Sequence, residues 1–261
     1  MGEVYVVTSG KGGVGKTTTT ANLGSALAMM NNRVVVIDAD IGLRNLDVVM
    51  GLENRIVYNI VDVVEGRCRF NQALIKDRRF EELYLLPAAQ TNNKTDITPE
   101  NMKDLCDLLK QEYDYILIDC PAGIERGFEN AIAGADKSIV VTIPEVSAVR
   151  DADKIIGLLN SSGLNNSKLI INRLRMDLVK RGEMLSVDDM LDILSIELLG
   201  IIPDNKDIVI TTNRGEPVIM NSKSITGQAY RNIAGRMMGE DVPYIELDYK
   251  RSLFSKLFKI F

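Results

Sequence analysis

The sequence contains no histidine and no tryptophan. Without histidine there is no Ser-His-Asp or Cys-His catalysis, no His-ligated zinc and no imidazole switch near neutral pH. Cysteine is scarce. Cys68, Cys106 and Cys120 form no C-x-x-C pair, and three thiols suit a reducing compartment better than a disulfide framework. Each reads as a small buried hydrophobe, and an iron–sulfur role would need two cysteines per subunit meeting across a dimer. Long apolar runs are missing too, so no stretch reaches the roughly 18 residues of a membrane span. No secretory leader is expected, because residues 3–8 already read as a strand. Val6 also stands where N-myristoylation wants Ser or Thr.

What remains is the composition of a globular α/β chain: 261 residues, 46% hydrophobic, 26% charged, net charge −5. That charge argues against nonspecific nucleic-acid binding by the body as a whole. Short apolar runs rich in β-branched residues recur at 4–8, 34–37, 83–86, 115–118, 138–143, 168–171 and 198–202. Their hydrophobicity is continuous rather than alternating, which predicts parallel strands covered on both faces. Helices are predicted at 16–30, 99–112, 125–134, 147–160, 187–194 and 224–238. Strand–helix alternation over residues 1–238 predicts one doubly wound domain with a mainly parallel central sheet flanked by helices. Residues 239–248 hold Glu240, Asp241, Glu246 and Asp248 with little helical pattern, and read as an acidic, mobile connector.

The first strand runs into Gly10, Lys11, Gly12, Gly13, Val14, Gly15, Lys16, Thr17 and Thr18, which satisfy G-x-x-x-x-G-K-[ST] with a helix starting at Lys16. The residue types follow from the chemistry. Glycines let backbone N–H groups turn inward around phosphate oxygens, and a helix N-terminus adds partial positive charge. Lys16 is placed to neutralise β/γ-phosphates and the Thr17 hydroxyl to ligate Mg²⁺.

Carboxylates stand at two strand ends, Asp38 and Asp40 after the second and Asp119 after the fourth, where open α/β sheets bind ligands. Asp119 is the expected Walker B acid, holding Mg²⁺ through water, since Mg²⁺ sites use few protein carboxylates. Asp40 is expected to position the attacking water, with Asp38 in support. A strand-end Asp can instead serve as a helix cap or turn residue.

Lys11 departs from a generic phosphate loop. The segment Lys11-Gly-Gly-Val-Gly-Lys16-Thr-Thr resembles the deviant Walker A box of the ParA/MinD ATPases. In that family the first lysine crosses a dimer interface to the partner's nucleotide, so the resemblance makes Lys11 a catalytic residue acting in trans. It also implies ATP as the nucleotide and places Asp38 and Asp40 in the family's switch I. Asn172, Pro203 and Asp204 resemble its adenine-binding positions, although Asn-Arg after a strand could equally be a turn.

The segment 41–47 after Asp40 looks like the MinD form of switch I. Segments 71–77, 86–88, 121–125, 144–147 and 215–218 are similar to that branch as well, so the resemblance covers nearly the whole chain. It implies an ATP-dependent homodimer that binds membrane, recruits the division inhibitor MinC and is released by MinE-stimulated hydrolysis. The helix beginning near Ser147, with Arg150, Asp151 and Asp153, resembles the family's MinC and MinE surface, but those charges also suit an ordinary solvated face.

Residues 249–261 can be read by geometry. Laid out at about 100° per residue, Leu253, Phe254, Leu257, Phe258, Ile260 and Phe261 fall within an arc of roughly 160°, with Lys256 and Lys259 outside it and only Lys250, at the start, intruding. Thirteen helical residues reach about 20 Å, too short for a hydrocarbon core of about 30 Å. An amphipathic helix of this kind suits the plane of an anionic membrane surface. The tail carries Lys250, Arg251, Lys256 and Lys259 and no acid, so its charge is +4 and the other 248 residues carry −9. Specific nucleic-acid binding is therefore not expected, and the chain is expected in the cytoplasm and on the inner face of the cell membrane. A DNA-segregating ParA-type protein, a flagellar-placement ATPase and a metabolic P-loop enzyme such as a carboxylate-phosphorylating synthetase are the competing readings.

Overall fold

The computed structural model describes residues 1–90, 97–123, 126–245 and 247. Its strands are β1 (Glu3–Thr8), β2 (Val34–Asp38), β3 (Ile75–Lys76), β4 (Leu83–Leu86), β5 (Tyr115–Asp119), β6 (Lys137–Thr142), β7 (Ser167–Leu174) and β8 (Glu197–Pro203). The helices are α1 (Lys16–Met29), α2 (Leu46–Met50), α3 (Ile60–Val64), α4 (Phe70–Ala73), α5 (Pro99–Leu109), α6 (Arg126–Ala133), α7 (Val146–Ser161), α8 (Met176–Val179), α9 (Val187–Leu194), α10 (Lys206–Thr212) and α11 (Ile225–Met237).

Among the described residues the strands form one sheet in the order β3-β4-β2-β5-β1-β6-β7-β8. Every neighbouring pair is parallel except β3–β4. The expected doubly wound parallel sheet is therefore present, with an antiparallel edge. Its apolar strands are buried on both faces because alternate residues serve different layers. Val4 and Val6 of β1 join a cluster with Met102 of α5, Phe128 of α6, Val149 of α7 and Met190 of α9. Tyr5 and Val7 join the opposite cluster with Leu23 and Leu27 of α1 and Tyr230 and Ile233 of α11. The chain passes from β1 through β2 to the β3–β4 edge, returns to β5 between β2 and β1, and then runs outward through β6, β7 and β8. The connections thus diverge beside β1 and leave a ligand crevice at the carboxyl ends of β1, β2 and β5.

Local chemistry sets the helix starts. Thr98 caps α5 by accepting from the Asn101 amide at 3.2 Å, with Pro99 at the first helical position. Ser186 caps α9 in the same way, accepting from the Asp189 amide at 3.1 Å. The predicted helix over 99–112 is shorter, ending at Leu109, and the chain turns through 110–112 to enter β5.

Of the expected connector, Glu246 and Asp248 lie outside the described residues; over 239–245 the chain after α11 lies against the sheet edge at β8. Arg236 donates from Nε to the Leu199 carbonyl at 2.7 Å and from Nη1 to the Val242 carbonyl at 2.8 Å. Its guanidinium carbon lies 4.4 Å from the Tyr244 ring centroid, and Tyr244 Oη donates to the Leu198 carbonyl at 2.7 Å. Ile245 then packs on the α1/α11 side of the sheet and Leu247 on the other. Charge alone suggested a solvated linker, but Glu240 and Asp241 simply face water while interleaved apolar residues and backbone carbonyls do the holding. Residues 249–261, the expected amphipathic tail, lie outside the described residues. Among those described, no helix is long and apolar enough to cross a membrane.

Candidate active site

The turn over residues 10–15 joins the carboxyl end of β1 to the amino end of α1. Gly15 sits in the left-handed region, φ +94°, and a Cβ there would come within 2.3 Å of the Asn172 amide nitrogen. No side chain caps α1, so its first-turn amides and the positive end of its dipole face the crevice. Lys16 is only 8% exposed, and its Nζ lies 3.1 Å from Asp119 Oδ1. Burial opposes its charge, but Asp119, Cys120 and Asp40 more than offset this and hold the ammonium above its ordinary range. Thr17 is half-buried beside it, and Thr20 Oγ1 donates to the same Asp119 oxygen at 3.4 Å.

Parallel pairing of β2 with β5 sets Asp38 directly opposite Asp119. Burial, with the charge of Asp119 second, pushes the Asp38 carboxyl well above the usual carboxylate range. Its two oxygens organise the chain beyond it: Oδ1 accepts from the Asp40 amide at 3.0 Å and Oδ2 from the Leu46 amide at 3.1 Å. Asp38 is thus the turn and helix-capping residue that a strand-end Asp can be, and it fixes the backbone on which Asp40 stands. The Asp40 carbonyl accepts from the amides of Leu43 and Arg44, closing a turn in which Arg44 adopts φ +45°.

On the far side of the turn, Asn172, Pro203 and Asp204 come together with Gly15 and Thr18 around a cleft of about 400 Å³. Asn172 is nearly buried. It donates from Nδ2 to the Val14 carbonyl at 2.8 Å and accepts at Oδ1 from the Arg173 amide at 2.9 Å, so it braces the phosphate turn from behind. The cleft is completed by Asn205, Ile208, Val209 and Tyr230, which the sequence does not reveal. Asn205 has a readable signal, as a helix cap accepting from Asp207 at 2.9 Å. Tyr230 has none: it arrives from α11, and its hydroxyl meets that of Thr19 at 3.2 Å.

Lys11 is not brought into this site. Its Nζ lies 3.1 Å from Glu145 Oε2 and 3.3 Å from Ser147 Oγ, at the start of α7. Glu145, Ser147, Arg150 and Asp153 are exposed there, while Asp151 is half-buried and pairs with Lys154 at 3.2 Å.

The donor set fits a phosphate chain with Mg²⁺. An uncapped helix N-terminus and a buried lysine supply the anion site, and a hydroxyl and a carboxylate are the hard oxygen donors Mg²⁺ accepts. Among the described residues no group of three or more His, Cys, Asp or Glu could hold a metal. The ion would therefore depend on Thr17, Asp119 and the phosphates themselves.

A phosphate turn leaving the central strand at the switch point, with a buried lysine facing a strand-end carboxylate, places the chain among the P-loop ATPases. The second lysine, turned away from its own crevice, marks the deviant Walker A kind. A family model described as an AAA domain matches residues 2–171. The septum site-determining protein MinD of Bacillus subtilis (strain 168) is 59% identical over 245 residues, 93% of this chain and 91% of that protein. The MinC:MinD cell division protein complex of Aquifex aeolicus contains a chain 51% identical with a TM-score of 0.87, covering 94% of this chain and 98% of that one. MinD of Pyrococcus horikoshii, complexed with Mg-ADP, is 31% identical with a TM-score of 0.83, covering 91% and 96%. The chain belongs to the MinD family of septum site-determining ATPases.

Proposed function

We propose that this ATPase cycles on and off the inner face of the cell membrane as an ATP-bound homodimer, placing the division site. The observation that carries the reading is the separation of its two lysines. Lys16 is built into the crevice, whereas the Lys11 side chain is 41% exposed, pairs among the described residues with Glu145 and Ser147 at the start of α7, and can turn to a second copy's phosphates. In this reading Gly10, Gly12, Gly13, Val14, Gly15 and Thr18 wrap the phosphates, and Asn172, Pro203 and Asp204 line the adenine cleft.

Mg²⁺, held by Thr17 and through water by Asp119, would neutralise charge on the β- and γ-phosphates. Asp40, carried on the turn that Asp38 organises, orients the attacking water. Lys16 in the same chain and Lys11 from the partner offset the charge that develops on the transferred phosphoryl group. Asp40→Ala is expected to lower turnover about 100-fold or more. It should also accumulate an ATP-loaded dimer, visible by size-exclusion chromatography with light scattering. Unchanged turnover would remove Asp40 from the mechanism.

Membrane attachment follows from the tail's arithmetic. Each basic residue contributes about 1 kcal/mol near an anionic surface, and the apolar face of Leu253, Phe254, Leu257, Phe258 and Phe261 adds several more. Ordering the helix opposes this by roughly 1–2 kcal/mol per residue, so one tail is marginal. Two tails on one dimer act at an effective concentration on the order of millimolar, which turns marginal contact into stable binding. ATP hydrolysis then times residence. MinC is the partner recruited and MinE the stimulator of hydrolysis; the existence of a MinC:MinD complex in Aquifex aeolicus supports the first. The α7 surface around Ser147, Arg150 and Asp153 is the proposed contact region.

A further inference from the structure

Two family-like segments, 71–77 and 215–218, have no place in the chemistry above, and the structure joins them at a single side chain. Arg79 donates from Nη1 to the Gly215 carbonyl at 2.7 Å and from Nη2 to the Met50 carbonyl. The same guanidinium meets Asp77 through Nε at 2.9 Å and Nη2 at 2.6 Å, and Asp77 is 1% exposed. All three guanidinium nitrogens are therefore engaged, on two carbonyls remote in sequence and one buried carboxylate.

Those carbonyls belong to elements that reach opposite halves of the nucleotide site. Met50 ends α2, whose first amide, that of Leu46, donates to Asp38 beside Asp40. Gly215 follows α10, whose Ile208 and Val209 line the adenine-side cleft, and its amide donates back to the Thr212 carbonyl. The two turns also touch directly. Gly51 and Gly215 both have φ near +64° (64° and 63°), and a Cβ on Gly51 would lie 2.6 Å from the Gly215 carbonyl oxygen. The approach is backbone against backbone and the guanidinium bonds to both turns, so a displacement of one is resisted by the other.

We infer that Arg79 is a positioning residue that couples occupancy of the adenine-side cleft to the Asp38–Asp40 segment, through α10, Gly215, Met50 and α2. The inference rests on the reading of that cleft as the base site. A ligand that fills only the phosphate turn would leave α10 and hence α2 where they are, whereas one that also fills the cleft would move or stiffen both.

The absence of tryptophan makes this measurable in the full-length protein. Val48, 52% exposed on α2, can be replaced by a single reporter, Val48→Trp. Its emission is followed on saturation with Mg-ADP and, separately, with Mg-pyrophosphate, while calorimetry gives each affinity. With Arg79 present, ADP should change the emission severalfold more than pyrophosphate does; with Arg79→Ala that ratio should fall to about one, although ADP still binds. Arg79→Lys retains the charge beside Asp77 but not the fork, so it should lose the ratio as well, and it serves if the alanine variant unfolds. A ratio that survives both substitutions, or equal responses in the Arg79 protein although ADP binds more tightly, would overturn the coupling alone. ADP binding no more tightly than pyrophosphate would overturn the base-site reading, and the coupling with it.

Discussion

Replacing Lys11 by alanine is expected to reduce stimulated ATP hydrolysis by roughly 10³-fold or more, the scale of losing a cation supplied in trans to a phosphoryl-transfer site. Nucleotide binding by the monomer should be nearly untouched, because Lys11 stands outside its own crevice against Glu145 and Ser147. Folding stability should barely change. The Lys11–Glu145 pair has its side chains 41% and 55% exposed, and exposed pairs of this kind contribute at most about 1 kcal/mol. The signature is thus a split: phosphate release measured with anionic vesicles and stimulator collapses, while Mg-ADP affinity by calorimetry and the thermal midpoint stay put. Normal stimulated turnover in Lys11→Ala would refute the trans role.

Lys16→Ala should behave in the opposite way, failing in both chemistry and stability. Removing a preorganised cation from the phosphates should lower hydrolysis by at least about 10²–10³-fold. Before any nucleotide arrives, the same change strands Asp119, whose side chain is 2% exposed and whose ammonium partner sits 3.1 Å away. Leaving a buried charge uncompensated costs about 3–5 kcal/mol, which for a chain of this size lowers the unfolding midpoint by about 10 °C. Calorimetric melting of the nucleotide-free protein checks this. An unshifted midpoint would mean that the Lys16–Asp119 pair does not hold the empty site together.

Contiguous patterns were the readable ones. The run Leu83–Leu86 and the helix Val187–Leu194 occupy the residues their apolar patterns indicate, and the phosphate turn is one unbroken string of residue types dictated by its ligand. Elements too short to show a period were not legible: two residues suffice for β3, and α2, α3, α4 and α8 are four or five residues each. α10 defied its composition. Ile208, Val209, Ile210 and two threonines favour a strand, yet Asn205 caps the segment and it is helical, with Val209 and Ile210 exposed.

The site shows the same division. Lys16, Thr17 and Asp119 announce themselves through motif and strand-end position. The bracing of Val14 by Asn172 and the clamp of Arg79 on Met50 and Gly215 do not, because their partners lie 158, 29 and 136 residues away. Likewise the docking of Tyr244 on the Leu198 carbonyl was hidden beneath an acidic composition that describes only what faces water.

The central claim is that nucleotide state controls membrane attachment through the tail. Co-sedimentation with anionic vesicles tests it most directly, comparing ATP with ADP and the full chain with one ending at Asp248. The account predicts that the full chain sediments with ATP, stays in solution with ADP, and loses vesicle binding altogether when residues 249–261 are removed, with nucleotide binding intact. Sedimentation that ignores the nucleotide, or that survives the truncation, would contradict it.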